Sequence, residues 1–213
     1  MIAVLLGILL PALATSRARA GLLAFQVNQR ECANIILLYT HDAAGLFPSY
    51  GVEKTMRAPL EWKGQLVESS WWGQIEYWGL FLTTRGYEGW VSMGPDAGPS
   101  VFDRVDCAGC GHARSIHLMM AGAFAHPKLF VHGAMDVSDL HVVQRSDGVA
   151  SPSNKGLLVF RYWSVGPLGP VTFVDGHGEL LSESAMAPGA GVEIPFAPRP
   201  VVTTRHGVRG SDR

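Results

Sequence analysis

Three shortages set the bounds. The chain has 213 residues with 17 basic and 18 acidic side chains, a formal net charge of -1, so it lacks the basic excess of a general nucleic-acid binder. No nucleic-acid partner is expected. Only three cysteines are present, Cys32, Cys107 and Cys110, too few for a disulfide framework or for a metal site built from four thiolates. The motifs of hydrolytic chemistry are missing as well: there is no H-E-x-x-H and no G-x-S-x-G. No enzyme activity, cofactor, metal or small-molecule substrate is therefore assigned. Internal repeats and charge blocks are also lacking.

What is present begins with apolar residues. Met1 to Ala14 (MIAVLLGILLPALA) carries no charge, and it runs without a turn signal into Thr15 to Tyr39, where Leu22, Leu23, Phe25, Val27, Ile35, Ile36 and Leu38 recur near helical spacing. The two parts read as one long helix whose second half lies on a core. Fourteen residues at about 1.5 Å each reach only about 21 Å of a hydrocarbon layer near 30 Å. Alone, the segment is too short to span. A signal peptide cleaved at Ala12-Leu13-Ala14 or Ala18-Arg19-Ala20 is a rival, but its basic residues should precede the apolar run, whereas Arg17 and Arg19 follow it.

The remainder has 25 glycines, 13 prolines and 47% apolar residues, the composition of a folded, loop-rich, partly β domain. Thr40 to Tyr50 is a turn region. Trp62, Trp71, Trp72, Tyr77, Trp78, Phe81, Tyr87 and Trp90 crowd residues 52 to 91 in mixed periods, serving either as core or as a platform for sugar or peptide. Cys107-Ala108-Gly109-Cys110 suits a local disulfide or a plain turn in preference to the alternative, two ligands of a metal to which His112 or His117 would add nitrogen. A haem attachment site is excluded by Gly111, which stands where His is required. Met119, Met120, Phe124 and Phe130 are expected to point inward. Ser151 to Gly156 reads as a turn feeding a strand at 157–160, with further strands at 171–174 and from 179. Asp175 and His177 suit a tight turn, and a carboxylate beside an imidazole also suits acid-base work or an ion. Ala187 to Arg213, rich in proline and arginine, is expected to be a disordered tail.

Leu9-Leu10-Pro11-Ala12-Leu13, with the Arg/Ala-rich continuation after it, resembles the later part of the N-terminal helix of type IV pilin-like proteins. Tyr39, Asp42, Gly45 and Phe47-Pro48 resemble the helix exit of the planctomycete-type branch. Phe173-Val174-Asp175-Gly176-His177 resembles that branch's signature with an H-x9-D-G motif, although Val165 stands where the upstream His belongs, and Pro152-Ser153-Asn154-Lys155 resembles the Pro-Ser-x-Lys segment before it. The likeness covers about residues 1 to 50 and 100 to 181. The basic leader, cleavage region and early Glu of the family are missing, which predicts a reading frame that begins upstream of Met1.

The resemblance implies an α+β fold, a long N-terminal α-helix packed on an antiparallel β-sheet. Residues 1–39 would be a membrane and assembly helix carried by Leu5, Leu6, Leu9, Leu10, Pro11 and Leu13, with Pro11 its point of bending. Residues 40–186 would be the globular domain. It further implies a structural role: a pilin or type II secretion pseudopilin, single-pass in the inner membrane with its globular part periplasmic. Its partners would be inner-membrane lipid, further copies of itself or other pilin-like subunits. A secreted binding protein using the aromatic middle, and a small metal or redox protein at Cys107 and Cys110, are the rivals.

Overall fold

A computed structural model describes residues 2–50, 57–62, 65–70, 73–87, 117–132, 141–160, 168–190 and 200–213. Helix α1 spans Ile2–Asp42 and passes through Pro11 without interruption. Pro11 has no N–H to give the preceding turn, and Thr15 Oγ1 donates to its carbonyl at 2.9 Å. The helix ends three residues beyond the expected Tyr39, where Ala44 (φ 54) and Gly45 (φ 88) turn left-handed and the Gly45 N–H closes on the Thr40 carbonyl at 2.7 Å.

Strands β1 (Arg57–Trp62) and β2 (Gln65–Ser70) pair antiparallel as a separate two-stranded ribbon, and α2 (Gln74–Thr84) follows. The main sheet has four strands in the order β3-β4-β5-β6: His117–Met119, Gly156–Phe160, Gly169–Phe173 and Gly178–Leu181, every neighbour antiparallel. The fold is thus the α+β arrangement of a long N-terminal helix and an antiparallel sheet. The strands expected around 157–160, 171–174 and from 179 are present, short runs dominated by Leu, Val and Phe and bounded by glycine and proline turns.

Residues Gln29 to Thr40 of α1 cover the sheet. Cys32, Ala33, Ile35 and Ile36 enter one core with Leu118, Met119, Met120, Leu157, Leu158, Val171 and Phe173. Met119, Met120, Phe124 and Phe130 all point inward, at most 3% exposed. From the aromatic middle, Tyr77, Trp78 and Phe81 are buried on α2, so these three rings are core and do not form a platform. Trp71, Trp72 and Trp90 lie outside the described residues, as does the Trp62 side chain.

A buried polar seam crosses the helix–sheet contact. Gln29 Nε2 donates to the Pro170 carbonyl at 3.0 Å and approaches His117 Nδ1 at 3.2 Å, while Gln29 Oε1 accepts from Thr172 Oγ1 at 3.0 Å. His117 Nε2 lies 3.0 Å from Asn28 Oδ1, a pairing that assigns the proton to Nε2 and leaves Nδ1 to accept. Burial pushes the His117 imidazole down to about 3. An unfolded histidine takes its proton near 6.5 and the folded one refuses it, so stability is complete above that value and falls as pH drops toward 3. We expect a loss of about 3 kcal/mol between pH 7 and pH 4.5 from this group. Denaturant titrations of the wild type and a His117→Gln variant across that range measure it, the variant lacking this component of the slope.

Residues 200–213 correct the expectation of a disordered tail, while 191–199 lie outside the described residues. Val201, Val202, Thr203, Thr204, Val208 and Asp212 are all buried, and the Ala121 N–H donates to the Val202 carbonyl at 2.9 Å. Composition missed this because the decisive interaction is one charge. Asp212, fully buried, accepts from Lys155 Nζ at 2.9 Å, the Gly156 N–H at 2.9 Å, the Val201 N–H at 3.1 Å and the Thr204 hydroxyl. Lys155 belongs to the Pro-Ser-Asn-Lys turn, so the chain's end is anchored on that turn. Burial lowers the Lys155 ammonium, against the opposing pull of Asp212.

Gly156 permits the approach: a Cβ there would stand 2.5 Å from Val201 Cγ2 and 2.9 Å from Cγ1. Val201 itself holds φ 68, a conformation a β-branched residue keeps only where its surroundings impose it. Gly156→Ala is expected to cost about 1–3 kcal/mol, read as a lowered denaturation midpoint, because neither side of the contact has room to yield.

Candidate functional site

Helix α1 has two unlike lengths. Every described side chain from Gly7 to Gly21 is exposed, whereas burial begins in earnest at Gln29. Advancing about 100° per residue, the buried positions Gln29, Cys32, Ala33, Ile36 and Thr40 fall on one side of the helix. Leu9, Leu13, Leu23, Val27 and Leu38 fall within about 40° of a line on the opposite side. These five are 42% to 61% exposed. Apolar side chains therefore face away from the protein's own core along the first two thirds of the helix, interrupted by Ser16; beyond Val27 the same line also carries Glu31 and Asn34 before Leu38.

The spacing of Leu22, Leu23, Phe25, Val27, Ile35, Ile36 and Leu38 reads as one core-facing set, and here the structure is a correction. Ile35 and Ile36 are buried; Leu23, Val27 and Leu38 are not. The inward line is carried partly by the polar Gln29 and Thr40, which an apolar pattern search overlooks. Both hide their polar groups, Gln29 in the seam and Thr40 by donating to the Ile36 carbonyl at 2.7 Å.

Of the expected assembly residues, Leu9, Leu10 and Leu13 are exposed and Pro11 lies within the helix. Leu5 and Leu6 belong to α1, but their side chains lie outside the described residues. Among the described residues no helix is long and apolar enough to cross a membrane.

The signature turn joins β5 to β6. Phe173 is fully buried, its N–H donates to the His177 carbonyl at 2.9 Å, and the Gly176 N–H returns to the Phe173 carbonyl at 2.9 Å. Asp175 Oδ1 accepts from the His177 N–H at 3.1 Å and sits 2.5 Å from His177 Nδ1. The His177 ring stacks on Phe173 with centroids 4.3 Å apart and planes 2° from parallel. Gly176 takes φ 87, and the space beside it is bounded by Leu37 and Asn34 of α1 at 3.7 and 3.8 Å. Phe173, Asp175, Gly176 and His177 thus build a tight hairpin turn seated against the helix. The Val174 and Asp175 N–H groups leave the turn, donating to the Lys155 carbonyl at 2.9 Å and the Pro152 carbonyl at 3.4 Å.

Beside this turn, His177 Nε2 lies 3.5 Å from Glu179 Oε1, which also accepts from Arg213 Nη1 at 2.8 Å. Among the described residues no group of three or more His, Cys, Asp or Glu side chains is arranged to hold a metal ion. Cys107, Cys110 and His112 lie outside the described residues, and Cys32 is a buried free thiol pushed up to about 12 by desolvation. Ser49 contacts Gln74 Oε1 at 2.7 Å and His141 Nε2 at 2.9 Å, tying the exit of α1 to the start of α2. No family model, curated protein or solved structure matches the chain.

Proposed function

We propose that this protein is a pilin-like structural subunit that assembles through α1. The observation that carries the reading is the set of exposed apolar side chains Leu9, Leu13, Leu23 and Val27, opposite the face that binds the sheet. Nothing among the described residues covers these side chains, and water is a poor solvent for them. Helices of neighbouring subunits, or lipid around the first turns, remove them from water. Head-to-tail repetition of one such contact generates an open helical filament. The resemblance of Leu9-Leu10-Pro11-Ala12-Leu13 and of the Phe173–His177 turn to the type IV pilin-like family supports the same reading. It implies a helix in the inner membrane, with the globular part on its periplasmic side. The Phe173–His177 turn braces the helix that must bear the load of assembly and performs no chemistry.

The test uses the full chain in detergent-free buffer, with its mass in solution measured by light scattering. Wild-type protein is expected to associate. The triple variant Leu9→Glu, Leu13→Glu, Val27→Glu should weaken association by at least about a hundredfold, since each leucine buried contributes roughly 1.5–3 kcal/mol. At concentrations where both proteins are monomeric its denaturation midpoint should match the wild type's, because none of the three residues belongs to the core. A freely monomeric wild type overturns the proposal.

A further inference from the structure

The anchorage of the C-terminus places an amine and a carboxyl group in contact inside the protein. Lys155 Nζ and Asp212 Oδ2 are 2.9 Å apart, and both side chains have no exposed surface. Two further features exceed what an ion pair needs. The Thr204 hydroxyl touches Lys155 Nζ on one side and donates to Asp212 Oδ1 on the other, bridging the nitrogen to the oxygen that the nitrogen does not itself contact. The Gly156 N–H points at Oδ2, where negative charge would grow if the carboxyl carbon became tetrahedral.

We propose that Lys155 and Asp212 condense to an isopeptide bond once the chain has folded. One proton leaves Nζ for the Thr204 oxygen while the Thr204 proton passes to Oδ1, giving a neutral amine and a neutral acid. The freed Nζ lone pair attacks Cγ, the C–N bond forms, and Oδ2 takes the charge against the Gly156 N–H. A second proton follows the same relay to Oδ1, the Cγ–Oδ1 bond breaks, and Oδ1 departs as water. Nζ keeps its third hydrogen as the amide N–H. The three ammonium hydrogens are thus shared between one water and one amide, no electrons are gained or lost, and no co-reactant is required.

Two physical terms favour the step. Held reactants reach effective concentrations of roughly 10⁵–10⁸ M, which offsets the sluggishness of amine and carboxyl toward each other. The amide also removes two charges from a place where desolvation penalises both. The link would fasten residue 212 covalently to the turn before β4, closing the C-terminal segment across the core.

Trypsin digestion of the folded, full-length protein after denaturation reads the bond directly. The expected product is a branched peptide in which residues 146–161, uncut after Lys155, carry residues 210–213, lighter than the two separate peptides by one water. Asp212→Ala should abolish it, and Thr204→Val should lower the linked fraction at least tenfold over the same incubation. Protein kept in denaturant from synthesis onward should show none. Full recovery from the wild type of a linear peptide ending at Lys155 overturns the proposal. Linkage undiminished in Thr204→Val overturns the relay on which the step depends.

Discussion

Asp212→Ala is expected to lower stability by about 3–5 kcal/mol relative to the unlinked form in which Lys155 and Asp212 are still a charged pair, one of the two largest losses predicted for a single substitution in this chain. The reason is the number of donors left behind. Lys155 Nζ, the Gly156 N–H, the Val201 N–H and the Thr204 hydroxyl all converge on this carboxylate, and all sit where water does not reach. Each buried donor left unpaired costs about 1–3 kcal/mol, and a stranded ammonium costs more. Lys155→Met is the informative comparison. It strands the carboxylate, but three of the four donors still face it, so its loss should be the smaller of the two. Chemical denaturation of both variants, followed by far-ultraviolet circular dichroism, gives the ranking. Equal losses would show that the charge pair alone holds the segment; an undisturbed Asp212→Ala would show that the segment does not depend on this carboxylate.

The same carboxylate marks where sequence reading stopped. The long helix and the three C-terminal strands were legible because each is announced by local periodicity and by flanking turn residues such as Gly156, Gly169 and Gly178. The Phe173–His177 turn was equally plain, since Asp-Gly suits a bend and the aromatic before it needs a core. Residues 200–213 were not legible. Their order depends on Asp212 meeting Lys155, 57 positions earlier, and no local rule reports a contact at that separation. The direction of α1's apolar residues was lost for a related reason. Periodicity finds apolar lines on a helix, but Gln29 and Thr40 occupy part of the inward one, so an apolar pattern does not tell the outward leucines from core. The crowded aromatics of the middle gave no clear period, because α2 is buried on most of its faces and has little polar side to set a phase.

Trp78→Ala should cost about 3–5 kcal/mol through volume alone, and more once its hydrogen bond is counted. The indole is 1% exposed, and its Nε1–H donates to the His117 carbonyl at 2.9 Å. That bond joins α2 to β3 on the same residue whose side chain meets Asn28 and Gln29 of α1, so one ring supports both contacts of His117. Trp78→Phe separates the two parts. It keeps most of the apolar bulk and leaves the His117 carbonyl without the indole donor, for an expected loss of about 1–3 kcal/mol beyond the volume difference. If His117 is the link, Trp78→Phe should also speed hydrogen exchange at the β3 amides more than at those of β5 and β6. Exchange accelerated evenly over all four strands would instead place Trp78 as general filling and not as the support of His117.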